Sequence, residues 1–231
     1  MVAGQILPRL KALRRIPHLY DRLGIHYSYP LRKSIILIAD ISNSSELTLS
    51  PLPTPTVASL MNGYLRQMLE IAREGKAVFE NWTGDGFVLS FCNSESQDFL
   101  ATVLEIALKM QRRFDTLKNE WKDKKFTVNM LHNKIVIALG TVGQMTLQSG
   151  LSKERMIVGK IVSEAFLASQ VLEREQNQIV VSQAFYDMLD KNKLRKMFDF
   201  TLLKPNIETS EKKYLKIQNK KFYIVKEKII E

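Results

Sequence analysis

Two apolar runs, Ala77 to Trp82 and Phe87 to Phe91, are separated only by Thr83-Gly84-Asp85-Gly86. Asp-Gly between such runs is a strong hairpin signal, because a tight two-strand turn needs positive φ at its centre and these residues supply it. The chain is therefore committed to at least one antiparallel strand pair. Its other segments alternate between strand-like and helix-like patterns. Ser34 to Ala39 (SIILIA) is a short apolar, β-branched run that stops at Asp40, as a buried strand would. Ser42 to Thr56 holds four serines, three prolines and three threonines and reads as a loop. Leu60, Met61, Tyr64, Leu65, Met68, Leu69 and Ala72 mark one face of a helix over 57–73, which Gly75 stops. A second helix fits Gln97 to Lys118.

Further on, Val128 to Leu131 and Ile135 to Val142 are strand-like, and Ile161 to Leu172 is helical. Gln178 to Val181 reads as a strand, and Ser182 is placed to cap a helix reaching about Leu189. Phe198 to Leu203, Tyr214 to Ile217 and Phe222 to Val225 close the chain as strands. Leu10, Leu13, Ile16, Leu19 and Leu23 suggest an amphipathic helix ahead of all this, interrupted at Pro17. No internal repeat or interior linker stands out. The order predicts an α/β (α+β) chain with a mixed sheet, with a basic helical extension over 1–33 and a single domain over 34–231.

Composition narrows the partners. A net charge of +10 favours polyanions. Much of the excess lies in the first 33 residues, where Arg9, Lys11, Arg14, Arg15, Arg22, Arg32 and Lys33 face only Asp21. The basic face of that segment could touch lipid headgroups, although packing on its own domain or on a partner is the commoner use of such a helix. Basic and aromatic residues do not interleave, and no nucleic-acid motif is present, so a solvated lysine surface is favoured over a nucleic-acid site. No apolar run approaches membrane-span length, and Arg9 interrupts the start before a signal-peptide core can form. Cys92 is the sole cysteine, which fits a reducing cytoplasm. His18, His26 and His132 are too scattered for a zinc site.

The candidate chemistry rests on Asp40, at a strand end, and Asp85, at a hairpin tip. Two carboxylates meeting over a sheet edge would hold hard cations, Mg²⁺ or Mn²⁺, which prefer oxygen ligands and arrive with substrate phosphates. Gly84 would let the backbone come close in a permissive turn. Ser42, Asn43, Ser44 and Ser45 could offer amides and hydroxyls to a polyphosphate. On spacing alone a second reading stands beside this one: Asp85 serves the hairpin and Asp40 caps a loop.

The stretch Ile36-Leu37-Ile38-Ala39-Asp40-Ile41-Ser42, a long helix, and then Phe79-Glu80-Asn81-Trp82-Thr83-Gly84-Asp85-Gly86-Phe87 resemble the first half of a class III adenylate/guanylate cyclase domain. Gln178 to Ser182 with Tyr186 and Leu189, and the closing Tyr214-Leu215-Lys216 and Phe222 to Val225, resemble its end. The resemblance spans roughly Ser34 to Val225. It implies a ferredoxin-like fold with a mainly antiparallel sheet flanked by helices. It also implies a head-to-tail homodimer with its sites at the interface. Asp40 and Asp85 would be the catalytic aspartates, holding two metal ions with the Ile41 carbonyl. A nucleoside triphosphate would be the substrate, cyclised to a 3′,5′-cyclic nucleotide with loss of pyrophosphate.

Departures from the pattern bear on specificity and turnover. The position that reads the purine in the family is Asn81, which can donate and accept and so dictates no single base. Its companion is Met156, whose thioether is a weak acceptor and no donor. The asparagine and arginine that orient ribose and steady the transition state are replaced by Ser163 and Leu167. Stand-alone cyclase domains of this kind resemble the pyrimidine cyclases of bacterial anti-phage systems. The alternative is a catalytically degenerate homologue that binds nucleotide as a regulatory module.

Overall fold

The computed structural model describes residues 31–92, 96–149, 152–172, 176–189, 197–204 and 220–227. The proposed helix around Leu10 to Leu23 and the proposed strand Tyr214 to Ile217 lie outside them. In chain order the elements are β1 (Arg32–Ser42), α1 (Ser44–Thr48), α2 (Thr54–Glu74), β2 (Val78–Trp82), β3 (Phe87–Phe91), α3 (Gln97–Asp123), β4 (His132–Ser149) and β5 (Ser152–Val158). Then follow α4 (Lys160–Val171), β6 (Gln178–Ser182), α5 (Gln183–Met188), β7 (Phe198–Leu202) and β8 (Phe222–Glu227).

The strands form one sheet in the order β2-β3-β1-β4-β6-β8-β7, with β5 paired to the far half of β4. Every pairing is antiparallel except β4 with β6. The first four strands of that order, joined through α2 and α3, make the ferredoxin-like core. β1 is central, which explains why its run is apolar without alternation: both of its faces are covered. Ile35, Leu37, Ala39 and Ile41 face α2 and α3, with Tyr64, Met68, Leu104 and Phe114 in the same cluster. Ile36 and Ile38 face α4, where Val162, Ala165 and Ala168 meet Val136 and Ala138. Among the described residues no helix is long and apolar enough to cross a membrane.

Several expectations move. The segment 42–56 is not a plain loop: it contains α1, and α2 begins at Thr54 with a proline in its first turn, where the missing N–H costs nothing. Val128 to Leu131 is a turn rather than a strand, with Leu131 N–H donating to the Val128 carbonyl at 3.1 Å. Val128 and Leu131 are fully buried anchors rather than a pleated face, and Met130 between them is half-buried. β4 runs on to Ser149 and returns as β5, a hairpin the sequence did not announce. β1 starts two residues earlier than expected, bringing Arg32 and Lys33 into the sheet opposite Val142 and Thr141. Ser182 does cap α5, accepting from the Phe185 N–H at 3.4 Å.

Candidate active site

Asp40 and Asp85 are brought together by the β1–β3 pairing. That ladder runs from Ile35 opposite Phe91 to Ala39 opposite Phe87, so the β2–β3 turn overhangs the end of β1 that bears Asp40. The turn closes with the Thr83 N–H donating to the Gly86 carbonyl at 3.0 Å, and Gly84 supplies the positive φ of 92°. Gly86 lies against β1: a Cβ there would stand 3.0 Å from Asp40 Oδ1 and would collide with the Ala39 carbonyl. The glycines of Gly84-Asp85-Gly86 thus have separate uses, one conformational and one steric.

The two carboxyl groups feel each other. Burial, then the Asp85 charge and a hydrogen bond with Asp85, push the Asp40 carboxyl up to about 6, while Lys134 pulls the other way. Lys134 stands opposite Asp40 in the β1–β4 register and is itself buried. Beneath the pair lies Tyr64 of α2, fully buried, its phenol pushed up by burial and by the charges of Asp40 and Asp85. Its hydroxyl donates to Asn133 Oδ1 at 3.1 Å. Asn133 stands opposite Ile41, but its N–H takes the Asn177 side chain as acceptor at 2.8 Å, on the β6 side. That makes Ile41 and Asn133 a non-hydrogen-bonded pair, so the ladder turns the Ile41 carbonyl away from β4 and toward the hairpin.

The serine-rich stretch after β1 is not free loop. Asn43 sits in the left-handed region with φ 62°, and its Nδ2 donates to the Met130 carbonyl at 2.9 Å. Ser44 Oγ donates to Asp85 Oδ2. Ser45 is exposed, and Ser42 is buried with its Oγ lacking a partner among the described residues. Of the residues expected to bind substrate, Ser44 and Gly84 adjoin the carboxylate pair through this geometry.

The rest stand elsewhere in the chain. Asn81 is exposed on β2 beside an irregularity in the β2–β3 ladder, with its Oδ1 accepting from the Trp82 N–H at 2.8 Å. Met156 is half-buried on β5, and Ser163 is exposed on α4 with Leu167 half-buried one turn on. None of these four stands on β1 or in the β2–β3 turn, the two places that carry Asp40 and Asp85. Sequence reasoning missed Lys134, Tyr64 and Asn133. A lysine at the head of the apolar run Ile135 to Val142 was the one visible signal. The roles of Tyr64 and Asn133 depend on α2 and β4 meeting under β1.

The donor set fits a hard divalent cation. Two carboxylates converge, with Lys134 offsetting part of the charge on Asp40, and the Ile41 carbonyl turns to the hairpin side of β1. Among the described residues no group of three or more His, Cys, Asp or Glu could hold a metal, so further ligands would come from backbone, water or phosphate. A 510 Å³ cavity lined by Glu164, Ser182, Asp187, Lys220 and Lys221 lies off the pair, as does a 280 Å³ groove between α3 and β8.

No protein-family model matches the chain, and no curated protein matches it by sequence. Solved structures do resemble it. The adenylyl cyclase CyaB from P. aeruginosa aligns with TM-score 0.70 at 16% identity, over 88% of this chain and 98% of that one. The guanylyl cyclase Cya2 gives 0.67 at 16% identity, over 86% and 94%. The guanylate cyclase domain of RhGC from Catenaria anguillulae, solved in complex with GTP, gives 0.62 at 16% identity, over 86% and 98%. The chain has the fold of these cyclase catalytic domains.

Proposed function

We propose that this chain, which shares the fold of class III cyclase domains, is a nucleotide cyclase that converts a nucleoside triphosphate to a 3′,5′-cyclic nucleotide and pyrophosphate. The observation that carries the reading is the convergence of Asp40 and Asp85 at the β1 end. Asp40, Asp85 and the Ile41 carbonyl would hold Mg²⁺ or Mn²⁺. Two such ions supply activation of the attacking hydroxyl and neutralisation of charge on the reacting phosphate. The protein's own part is positional. Ser44 orients the Asp85 carboxylate, Lys134 offsets part of the charge on Asp40, and the Gly84-Asp85-Gly86 turn holds the two acids at one edge. The backbone from Ser42 to Ser45 borders the same edge and is suited to a polyphosphate.

Asn81, Met156 and Ser163 stand on β2, β5 and α4, apart from the strand end and turn that carry the acids. A head-to-tail homodimer would let a partner copy present them to the substrate, and β5 packs beside β2, which groups Asn81 and Met156 on neighbouring strands. An amide and a thioether make no purine-specific pair, so the base preference is atypical and a pyrimidine fits as well as a purine. The free Cys92 agrees with a cytoplasmic setting. Leu167 favours a second reading, a degenerate homologue that binds without turnover, because loss of a cationic contact to the transition state costs on the order of 10³-fold in rate.

Incubation with Mn²⁺ and each of ATP, GTP, CTP and UTP, read by mass spectrometry, separates the two. At least one cyclic monophosphate should form, and Asp85→Ala should abolish it together with metal-dependent nucleotide binding. Binding without product from any of the four would establish the second reading. Unchanged metal-dependent binding by Asp85→Ala would remove the site from both.

A further inference from the structure

Three successive carbonyls in the turn before β4 are taken up by side chains from two distant parts of the chain. Lys118, near the end of α3, directs its Nζ to the Leu131 carbonyl at 2.6 Å and the Asn129 carbonyl at 3.3 Å. It is nearly buried, with its ammonium 6.0 Å from the centre of the Phe114 ring. The carbonyl between them, Met130, accepts from Asn43 Nδ2 at 2.9 Å. One short turn is thereby gripped from α3 on one side and from the stretch after β1 on the other. Val128 and Leu131 anchor the same turn in the core that holds Tyr64 and Phe114.

The consequence runs forward along the chain. Asn43 is held in the left-handed region, at φ 62°, where a non-glycine residue is costly unless its surroundings fix it. Its neighbour Ser44 donates to Asp85. The Ser42 to Ser45 backbone is therefore tied at two successive side chains, one to the turn and one to the carboxylate. Beside these ties the segment is held by the pairing of Ser42 with His132 and by the backbone bonds of α1, so the Asn43 tie adds to that frame the contact that joins it to the turn.

Resting on the cyclase reading above, we propose that Lys118 and Asn43 form a latch that sets the Ser42 to Ser45 backbone for the substrate polyphosphate. Both are positioning residues. The Asn43 amide is spent on Met130 and does not contact the phosphate, and Lys118 acts only through the turn. The site's phosphate affinity is thus set from α3, by a residue 78 positions after Asp40 and on none of the strands that carry the acids.

The test is a double-mutant cycle read by calorimetry with Mn²⁺-tripolyphosphate, a probe that carries no base, alongside thermal unfolding. Asn43→Gly keeps the left-handed backbone and removes the amide. Lys118→Met keeps the aliphatic stem and removes the ammonium. Each should weaken binding about five- to tenfold, and the double variant should be no weaker than the worse single one, because both break the same path. Lys118→Gln, whose amide can still donate to a carbonyl, should show the same coupling with a smaller effect. It serves in place of Lys118→Met if that variant does not fold. A lysine variant that lowers the unfolding temperature and leaves affinity unchanged would overturn the latch, as would a double variant in which the two losses multiply. If the wild-type protein fails to bind the probe, the cyclase reading falls and the latch with it. Binding by the wild type with no effect of either substitution removes the latch alone.

Discussion

Asp40 shows how a candidate metal ligand can weaken the fold that carries it. Its carboxyl is raised from 3.8 to about 6, by burial first and by Asp85 next. In the unfolded chain the same group loses its proton near 4, so between about 4 and 6 the folded state holds more protons than the unfolded one. This contribution is favourable at the acid end and is lost as pH rises through the folded value. Above about pH 7 the ionised group costs the metal-free protein up to about 3 kcal/mol, an upper bound because the site is partly solvated. Asp40→Asn should therefore raise the unfolding temperature of the chelator-treated protein at pH 7.5, by roughly 2–4 °C per kcal/mol recovered, and change little at pH 4. With Mn²⁺ present the order should invert, since a cation stabilises the wild type and not the variant. Equal unfolding temperatures of wild type and variant at both pH values would mean that the folded protein does not raise the Asp40 carboxyl. The sequence singled out Asp40 and Asp85, which the fold brings side by side. It did not reveal Lys134 as the counter-charge, because a lysine becomes a buried neighbour of Asp40 only through the β1–β4 register.

At the scale of elements, the β2–β3 hairpin does the positioning. Its turn closes on itself, and Gly86 lets it lie directly on β1. Gly86→Ala inserts a methyl against the Ala39 carbonyl and beside Asp40 Oδ1. Backbone cannot yield as a side-chain tip can, so the hairpin must lift. The expected cost is about 1–3 kcal/mol of stability with loss of Mn²⁺-dependent nucleotide binding, read by denaturant unfolding and calorimetry. Retention of wild-type binding would show that the tip does not have to touch β1. This hairpin was legible from the turn residues alone, and α2, α3 and α4 were legible from their periodicity. The β4–β5 hairpin was not: Gln144 to Gln148 alternates polar and apolar residues, but the return strand Ser152–Val158 does not, and the turn between them carries no Asn-Gly or Asp-Gly signal. α1 was hidden by serines and prolines, which favour loops locally but also start helices.

At the scale of the whole molecule, the two halves of the expected site lie apart. The acids share the β1 end, whereas Asn81, Met156 and Ser163 sit on β2, β5 and α4. If a second copy completes the site, turnover per chain should rise with protein concentration and level off once dimers saturate, as measured by cyclic-nucleotide yield alongside light scattering. Activity per chain that stays constant while the protein is monomeric would rule out a shared site. The local chemistry of the chain was enough to determine the Gly84-Asp85-Gly86 turn, the main helices and the mixed sheet, because each depends on residues close together in sequence. Only the tertiary structure decided which face Asp40 presents to Asp85, that Asn43 and Ser44 spend their side chains on Met130 and Asp85, and that Tyr64 and Asn133 lie under the pair. Those contacts join segments 41 to 87 positions apart. Strand register and helix packing set them, and neither is written in any short stretch of sequence.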